Sequence, residues 1–538
     1  MFRTSLRSDL ATSDLLHRCS TIRDSLIQAG LFAASPDGSD SPATEFDGSV
    51  RSWRIGTAPF LLTTEQLSFF QQLGPHLVAF YRALNRLYLE SARGLQPRWI
   101  AGYLDQGKPE ALIAYSRMKR FRADLPAVIR PDVIPTPDGL VITELDSVPG
   151  GIGLTAALSR AYSAVAHYSS NGSESAGHSS APDALRLDPS MASGSRAWSK
   201  DMLTVPSLVE GRLTPSNEIV GGPEGMIRGF AAMLKHQRGP HAGCTAIVVS
   251  EEAKDYRPEM TWMAGEVSRQ GMEAYCIEPR QVKFTEEGLR LVTAERELPI
   301  GLLYRFFELF DLPNIPKAEL VQYAAKKEWI AVTPPYKPAL EEKSAFAFLH
   351  HPALRPYWRQ ELGEESFLHL TSVMPRTWLL DPAPIPCIAT IPGLSVGDRA
   401  VMNWGDLATA TQKERHFVIK PSGFSELAWG SRGVSVGHDL PQQEWAAAIG
   451  HALSAFSRTP YVLQEFHKGR QYQLEYFDPL SGEMHEMSGR ARLSPYYFVT
   501  GEGVELAGIL ATVCPADKKV IHGMRDAVMV PCAIANAG

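Results

Sequence analysis

Several things are scarce in this chain. Its six cysteines (Cys19, Cys244, Cys276, Cys387, Cys514, Cys532) are scattered over 538 residues. There is no Cys-x-x-Cys pair and no Cys/His cluster, which argues against a structural zinc and against a disulfide framework and points to a reducing, cytoplasmic setting. No run approaches ~20 apolar residues, so no membrane span is expected. Residues 1–16 lack the apolar core of a signal peptide. Positive charge is not in excess: 53 Lys and Arg stand against 59 Asp and Glu, a net charge of −6. A nucleic-acid partner held by bulk charge is therefore not expected. No clean G-x-G-x-x-G appears, so no dinucleotide fingerprint is read. What remains is the composition of a globular protein, 44% hydrophobic and 21% charged, and at about 150 residues per domain it is long enough for three or four domains.

The stretch that organises the rest is Ala127–Leu158. Two apolar runs, Ala127-Val128-Ile129 and Leu140-Val141-Ile142, flank a turn at Asp138-Gly139. Asp-Gly between β-branched runs reads as a hairpin. Glu144 and Asp146 alternate with Leu145, so on a strand both carboxylates share a face, and Asp132 on the neighbouring strand can sit beside them. Three converging carboxylates repel unless a cation lies between them, and hard oxygen ligands in small number suit Mg²⁺ shared with phosphates. Pro149-Gly150-Gly151-Ile152-Gly153 then opens a helix, and its N–H groups can approach an anion. The plainer alternative is an acidic surface hairpin.

In chain order, Asp9–Phe32 reads as an amphipathic helix ending at Gly30, and Ala33–Val50 as a loose loop. Thr63 and Gln66 have the spacing of a capping box before a helical run, Leu67–Arg93. Trp99–Tyr103 and Pro109–Lys119 suggest further helices. The segment 168–200 is dense in Ser, Gly and Ala and reads as a flexible insertion. From Cys244 the pattern alternates: a strand at Thr245–Val249, a helix at Glu259–Gln270, a strand at Glu273–Ile277 and a third apolar run at Gly301–Phe307. That is a small α/β domain. A helix beginning near Leu340 carries Glu342 and Lys343, and Asp381–Pro392 reads as a linker or extended strand.

The last third brings cations. His416–Pro421 is a strand carrying Lys420, and a turn follows with Gly430, Ser431, Arg432 and Gly433. Lysine on a strand beside a glycine-rich turn makes a phosphate cradle. Tyr461–Phe466 is a strand ending in Gln464-Glu465-Phe466. Arg490 and Arg492 lie on one side of a further strand, and two same-facing guanidiniums need anions if buried. Each piece alone has a bland reading: a solvated lysine, a hairpin loop, a strand edge, structural pairs of Arg490 and Arg492 with Glu483 or Glu486, or a Lys343–Glu342 pair.

Taken together and in this order, these motifs resemble the ATP-grasp superfamily over roughly residues 51–530. Most ATP-grasp chains place the metal carboxylates after the nucleotide lysines. Here they come first, as in the circularly permuted branch that includes glutathionylspermidine synthetase, where an Arg-x-Asp strand like Arg130-Pro131-Asp132 precedes a Glu-x-Asn strand. The resemblance implies an α+β ATP-grasp fold, circularly permuted, with an α/β substrate domain. It implies a helical arm at 1–62, a metal-bearing part at 63–235, the substrate domain at 240–335 and ATP-binding subdomains at 336–538. It further implies ATP with Mg²⁺ or Mn²⁺, and metal ligands Asp132, Glu144 and Asp146. Lys343 and Lys420 would touch the phosphates, under a flap containing Gly430, Ser431, Arg432 and Gly433. Main-chain groups of Gln464, Glu465 and Phe466 would meet adenine. Arg130, Arg490 and Arg492 would serve the transferred phosphoryl or the acyl group. The activity implied is ligation of a small-molecule or peptide carboxylate to an amine through an acyl phosphate, releasing ADP and phosphate. No nucleic-acid or membrane partner is implied, and a homodimer is the default assembly. The same cleft in a phosphotransferase, or in a non-catalytic nucleotide-binding protein, is the alternative. Asp146 in place of the usual asparagine adds a charge. No amidase domain has a counterpart, so no polyamine or glutathione substrate is carried over.

Overall fold

The computed structural model describes residues 2–32, 53–170, 218–386, 389–428, 430, 432–501, 503–518, 520–521 and 526–535, with main chain alone for 2–12 and 167–170. The loop at 33–50, most of the segment 168–200, Ser431 and the tail at 522–525 lie outside them.

A central sheet of eight strands holds the molecule together. Its spatial order is Ile55–Gly56, Gln471–Asp478, Glu483–Thr500, Gly503–Pro515, Val528–Ile534, Phe60–Leu62. The hairpin Val128–Thr136 with Gly139–Asp146 joins through Glu483–Thr500, pairing Leu493 with Val133 and Phe498 with Val128. The chain places that hairpin in antiparallel register, Arg130 opposite Asp146 and Asp132 opposite Glu144, as the Asp138-Gly139 turn requires. A bulge follows Asp132, leaving Thr143 unopposed, and re-aims the acidic end of the hairpin. Burial along Glu483–Thr500 explains its central place. Ala491, Leu493, Tyr496, Tyr497 and Phe498 are completely buried, while Arg490 and Arg492 are partly buried. Each large apolar side chain removed from water there contributes about 1.5–3 kcal/mol.

Helix Thr64–Ala92 covers one side of this sheet and begins with the expected capping box: Thr63 Oγ1 accepts from the Gln66 N–H, and the Gln66 side chain accepts from the Thr63 N–H. Helix Ile152–Ser170 follows the hairpin. The α/β region forms a second sheet, whose core strands Ala274–Ile277, Cys244–Val249, Glu297–Phe306 and Ala331–Thr333 run parallel. Cys244–Val249 is buried throughout, as a strand covered on both faces must be. A third sheet, in the order Thr377–Leu379, Tyr461–Glu465, Phe417–Pro421, Ser435–Val436, is antiparallel and packs its own core of Trp445, Leu463 and Ile419.

One local expectation fails. No helix begins near Leu340. A 3-10 turn at Pro338–Leu340 is followed by an irregular stretch, and a helix starts at Ala345. Side-chain demands pull the stretch out of helical form: Glu341 pairs with Arg305, Glu342 with Lys108 and Ser422, and Lys343 with Glu144. Asp381–Pro392 contains no strand among its described residues. No described helix is long and apolar enough to cross a membrane.

Candidate functional site

The three sheets meet around one cleft of about 1150 Å³. Its floor is the open face of the central sheet, where the period of two puts Arg490, Arg492, Ser494 and Tyr496 side by side, with Arg130 and Asp132 beside them on the hairpin. One wall is the third sheet, contributing Lys420, Gln464, Glu465 and Phe466. The opposite wall comes from the carboxyl ends of the parallel strands, with Ser250, Glu252, Phe306, Phe307 and Glu308, the place where open parallel sheets bind ligands. Lys343 and the hairpin carboxylates Glu144 and Asp146 complete it, with Gly430 and Arg432 on the rim.

The cleft is strongly charged and internally paired. Arg130 lies between Asp132 (3.2 Å) and Asp146 (3.0 Å). Arg492 reaches the other oxygen of Asp132 at 3.1 Å, and Ser494 donates to its first. Burial raises the Asp132 carboxyl, but Arg130 and Arg492 outweigh it and hold it below the usual range. Asp146 goes the other way: burial pushes it up despite Arg130. Lys343 pairs with Glu144 at 2.8 Å and donates to the Ala428 carbonyl. Burial lowers its ammonium, and Glu144 more than restores it, so it lies above the ordinary lysine value. Among the described residues, Lys420 has no carboxylate in contact. It donates to the Gln464 side chain at 2.8 Å and to the Thr143 carbonyl, and burial drives it down to about 8.

Of the three carboxylates expected to hold a metal, Asp132 pairs with Arg130 and Arg492, Asp146 with Arg130, and Glu144 with Lys343. No group of three such ligands occurs among the described residues. The cation that relieves their repulsion is largely Arg130. Both oxygens of Asp132 are engaged and its residue is buried; Asp146 accepts from Arg130 and the Val148 N–H, Glu144 from Lys343, and these two side chains are each about a quarter to a third exposed to the cleft. Two carboxylates suit an ion that takes its other ligands from phosphates and water. The expected anion seat at Gly150–Gly153 is filled from within the protein. Glu259 accepts from the N–H groups of Gly151 (2.7 Å) and Leu154 (3.0 Å), capping helix Ile152–Ser170 where its dipole favours negative charge. Gly153 permits the approach, since a Cβ there would collide with the Glu259 main chain.

Other expected residues divide. Arg490 lines the cleft but is tied to the carbonyls of Gly469 and Ala516, with neither Glu483 nor Glu486 as partner. Arg432 pairs with Glu252 across the cleft mouth at 3.0 Å. Gly433 packs under Pro421 and donates to the Leu427 carbonyl, away from the lining. Phe466 N–H is already given to the His416 carbonyl and Glu465 N–H to Arg376, so an adenine would need other main-chain groups of this strand. Sequence reasoning missed Glu259, Tyr496 and Glu308. Tyr496 donates to the Gly150 carbonyl at 2.7 Å. Burial, with Glu341 and Asp146 nearby, pushes Glu308 up to about 8. Glu308 alone had a sequence signal, an acid just beyond a buried parallel strand.

The chain shares its fold with a glutathione synthetase-like effector. That protein, from Globodera pallida, aligns over 97% of this chain and 98% of its own, at 11% identity and a TM-score of 0.53. A proposed gamma-glutamylcysteine synthetase from Methylobacillus flagellatus KT aligns over 87% of this chain and 86% of its own at 10% identity, with a TM-score of 0.36. No protein-family model matches the chain, and no curated protein matches it. The overall fold is thus one also used by a synthetase-like protein, and the cleft described above runs through the middle of it.

Proposed function

We propose that this chain is an ATP-dependent carboxylate–amine ligase of circularly permuted ATP-grasp type, working through an acyl phosphate. The observation that carries the reading is the meeting, in one cleft, of Lys343 and Lys420 with Glu144, Asp146, Arg130 and Arg492 from segments hundreds of residues apart. The fold shared with the glutathione synthetase-like effector supports it, as does the order in which the hairpin carboxylates precede Lys343 and Lys420. Glu144 and Asp146 would hold Mg²⁺, and the bound ion would supply charge that neutralises the phosphates.

The remaining work falls to the chain's own residues. Lys343, from the irregular stretch before the helix at Ala345, and Lys420, from the third sheet, present ammonium groups to phosphate oxygens. Burial lowers the Lys420 ammonium, and an arriving anion would raise it again. Arg492, held in place by Asp132, presents its guanidinium to the substrate carboxylate. That carboxylate attacks the γ-phosphorus and ADP leaves. The amine then displaces phosphate from the acyl carbon, losing a proton as the amide forms. Phosphoryl transfer of this kind is governed by positioning and charge.

The test is product analysis with ATP, Mg²⁺ and pooled carboxylates and amines, beginning with γ-glutamylcysteine and glycine because of the fold neighbour. Substrate-dependent ADP and phosphate with an amide product are expected, and Lys420→Met should lower kcat/KM by about 10²-fold. AMP with pyrophosphate, or a stable phosphorylated product without amide, would replace this mechanism. Absence of Mg²⁺-dependent ATP binding would remove the nucleotide assignment altogether.

A further inference from the structure

A second cavity, of about 880 Å³, lies on the reverse side of the hairpin. On strand Val128–Thr136, Ile129 faces it, while Arg130 and Asp132 face the first cleft. Its charge is opposite to that of the protein as a whole. Arg82, Arg86, Arg93, Arg120, Arg122 and Lys337 line it, against two carboxylates, Asp124 and Glu361, in a chain of net charge −6. Arg86 is spent on Glu90 and Glu361, and Arg120 on Glu328. Among the described residues, the guanidiniums of Arg82 and Arg122 have no acid or hydrogen-bond partner, and both are exposed at the mouth.

Exposed arginines alone would be ordinary surface. The interior of the cavity is not. Lys337 is 4% exposed and donates to Asn85 Oδ1 (2.9 Å) and the Arg122 carbonyl (3.0 Å), so one of its three N–H donors is uncommitted. Burial pulls its ammonium down to about 8, and the nearby Asp124 offsets this only in part. Two further buried hydroxyls at the wall, Tyr336 Oη and Thr333 Oγ1, have no partner; their residues are 4% and 1% exposed. A buried donor left unmade costs about 1–3 kcal/mol, and three residues with uncommitted donors line one basic, partly aromatic cavity of ligand size.

We infer that this cavity is a binding site for a small organic polyanion bearing carboxylate or phosphate groups, seated on Lys337, Tyr336 and Thr333 and closed by Arg82 and Arg122. Acceptor-rich anionic groups are what such a donor set takes, and the walls formed by Tyr115, Phe121 and Ile330 suit an organic body. The inference stands independently of the nucleotide reading of the first cleft.

The test uses citrate and pyrophosphate as probes, titrated calorimetrically at low salt in a Lys420→Met background, so that the first cleft is weakened for phosphate. One or both probes should bind, and adding Arg82→Glu and Arg122→Glu should weaken that binding by about tenfold or more. Both arginines are exposed, so the substitutions leave the fold intact, as a melting curve will show. Lys337→Met should abolish binding. If the Lys420→Met chain melts early, the arginine pair is read in the unmodified chain. Citrate without pyrophosphate would identify carboxylate as the preferred group, and the reverse result phosphate. Failure of both probes at ~10 mM, or binding that survives loss of both arginines, would overturn the site.

Discussion

At the scale of single residues, the cleft shows how burial sets chemistry. Lys420 is 9% exposed and its ammonium is held at about 8, against 10.5 for an ordinary lysine, chiefly by burial. Between these values the unfolded chain binds the proton that the folded chain releases, so stability rises with pH from about 8 to 10.5. It falls as pH drops from 10.5 to 8 and levels off below 8, where the buried charge is fully accommodated. Lys420→Met is therefore expected to be more stable than the natural chain at pH 7, by an amount on the order of 3 kcal/mol at most, and the gap should narrow to about a quarter of that at pH 10. Urea denaturation of both proteins at the two pH values measures it; an equal gap at both would mean that Lys420 titrates normally. This residue was legible in the sequence as a lysine on a strand before a glycine turn. Its partners were not. Asp132 and Arg492 are 360 residues apart and Glu259 reaches Gly151 across 108, and no local pattern announces which of many acids and bases a fold will bring together. Asp132 reads from the sequence as a metal ligand; its pairing with Arg492 in the structure has no local sequence signal.

At the scale of elements, local rules served well wherever they acted alone. The hairpin at 128–146 follows from Asp138-Gly139 and a period of two, and the helix from Thr64 follows from Thr63 and Gln66. Removing the cap should cost about 1 kcal/mol. Thr63→Ala is expected to speed amide hydrogen exchange in the first helical turn, at residues 65–67, while leaving the distal helix unchanged; unchanged exchange at that turn would show that the cap is redundant with packing. The stretch 340–344 shows the opposite case. Its composition permits a helix, but three successive ionic side chains each find partners in different elements, and long-range pairing overrides propensity. That same stretch leads from Lys337 in the second cavity to Lys343 in the first.

At the scale of the whole molecule, the central sheet is assembled from the two ends of the chain. Ile55–Gly56 and Phe60–Leu62 close opposite edges, against Gln471–Asp478 and Val528–Ile534 respectively. The third sheet and the parallel sheet are sequence-local by comparison, which is why alternating strands and helices at 244–307 could be read directly. The pairing of the hairpin with Glu483–Thr500 could not, since nothing in either strand's composition specifies a partner so distant. A chain ended at residue 482 should keep the parallel sheet but lose the central one. Limited proteolysis is expected to cut it rapidly within 53–170 and to spare 244–333; protection of 53–170 would mean that the helices there fold without their sheet.

The separation of Asp132 from Arg492 also has a history in time. A ribosome adds roughly 5–20 residues per second, so the hairpin emerges on the order of 20–70 seconds before the strand it must join. Until then the edge of Val128, Ile129 and Val133 that Glu483–Thr500 covers has no partner strand, and Arg492 is not yet there to pair with Asp132. The sheet at the centre of the molecule is thus completed only by about the last tenth of the polypeptide, and until then the hairpin's acidic open end has no Arg492 to answer it.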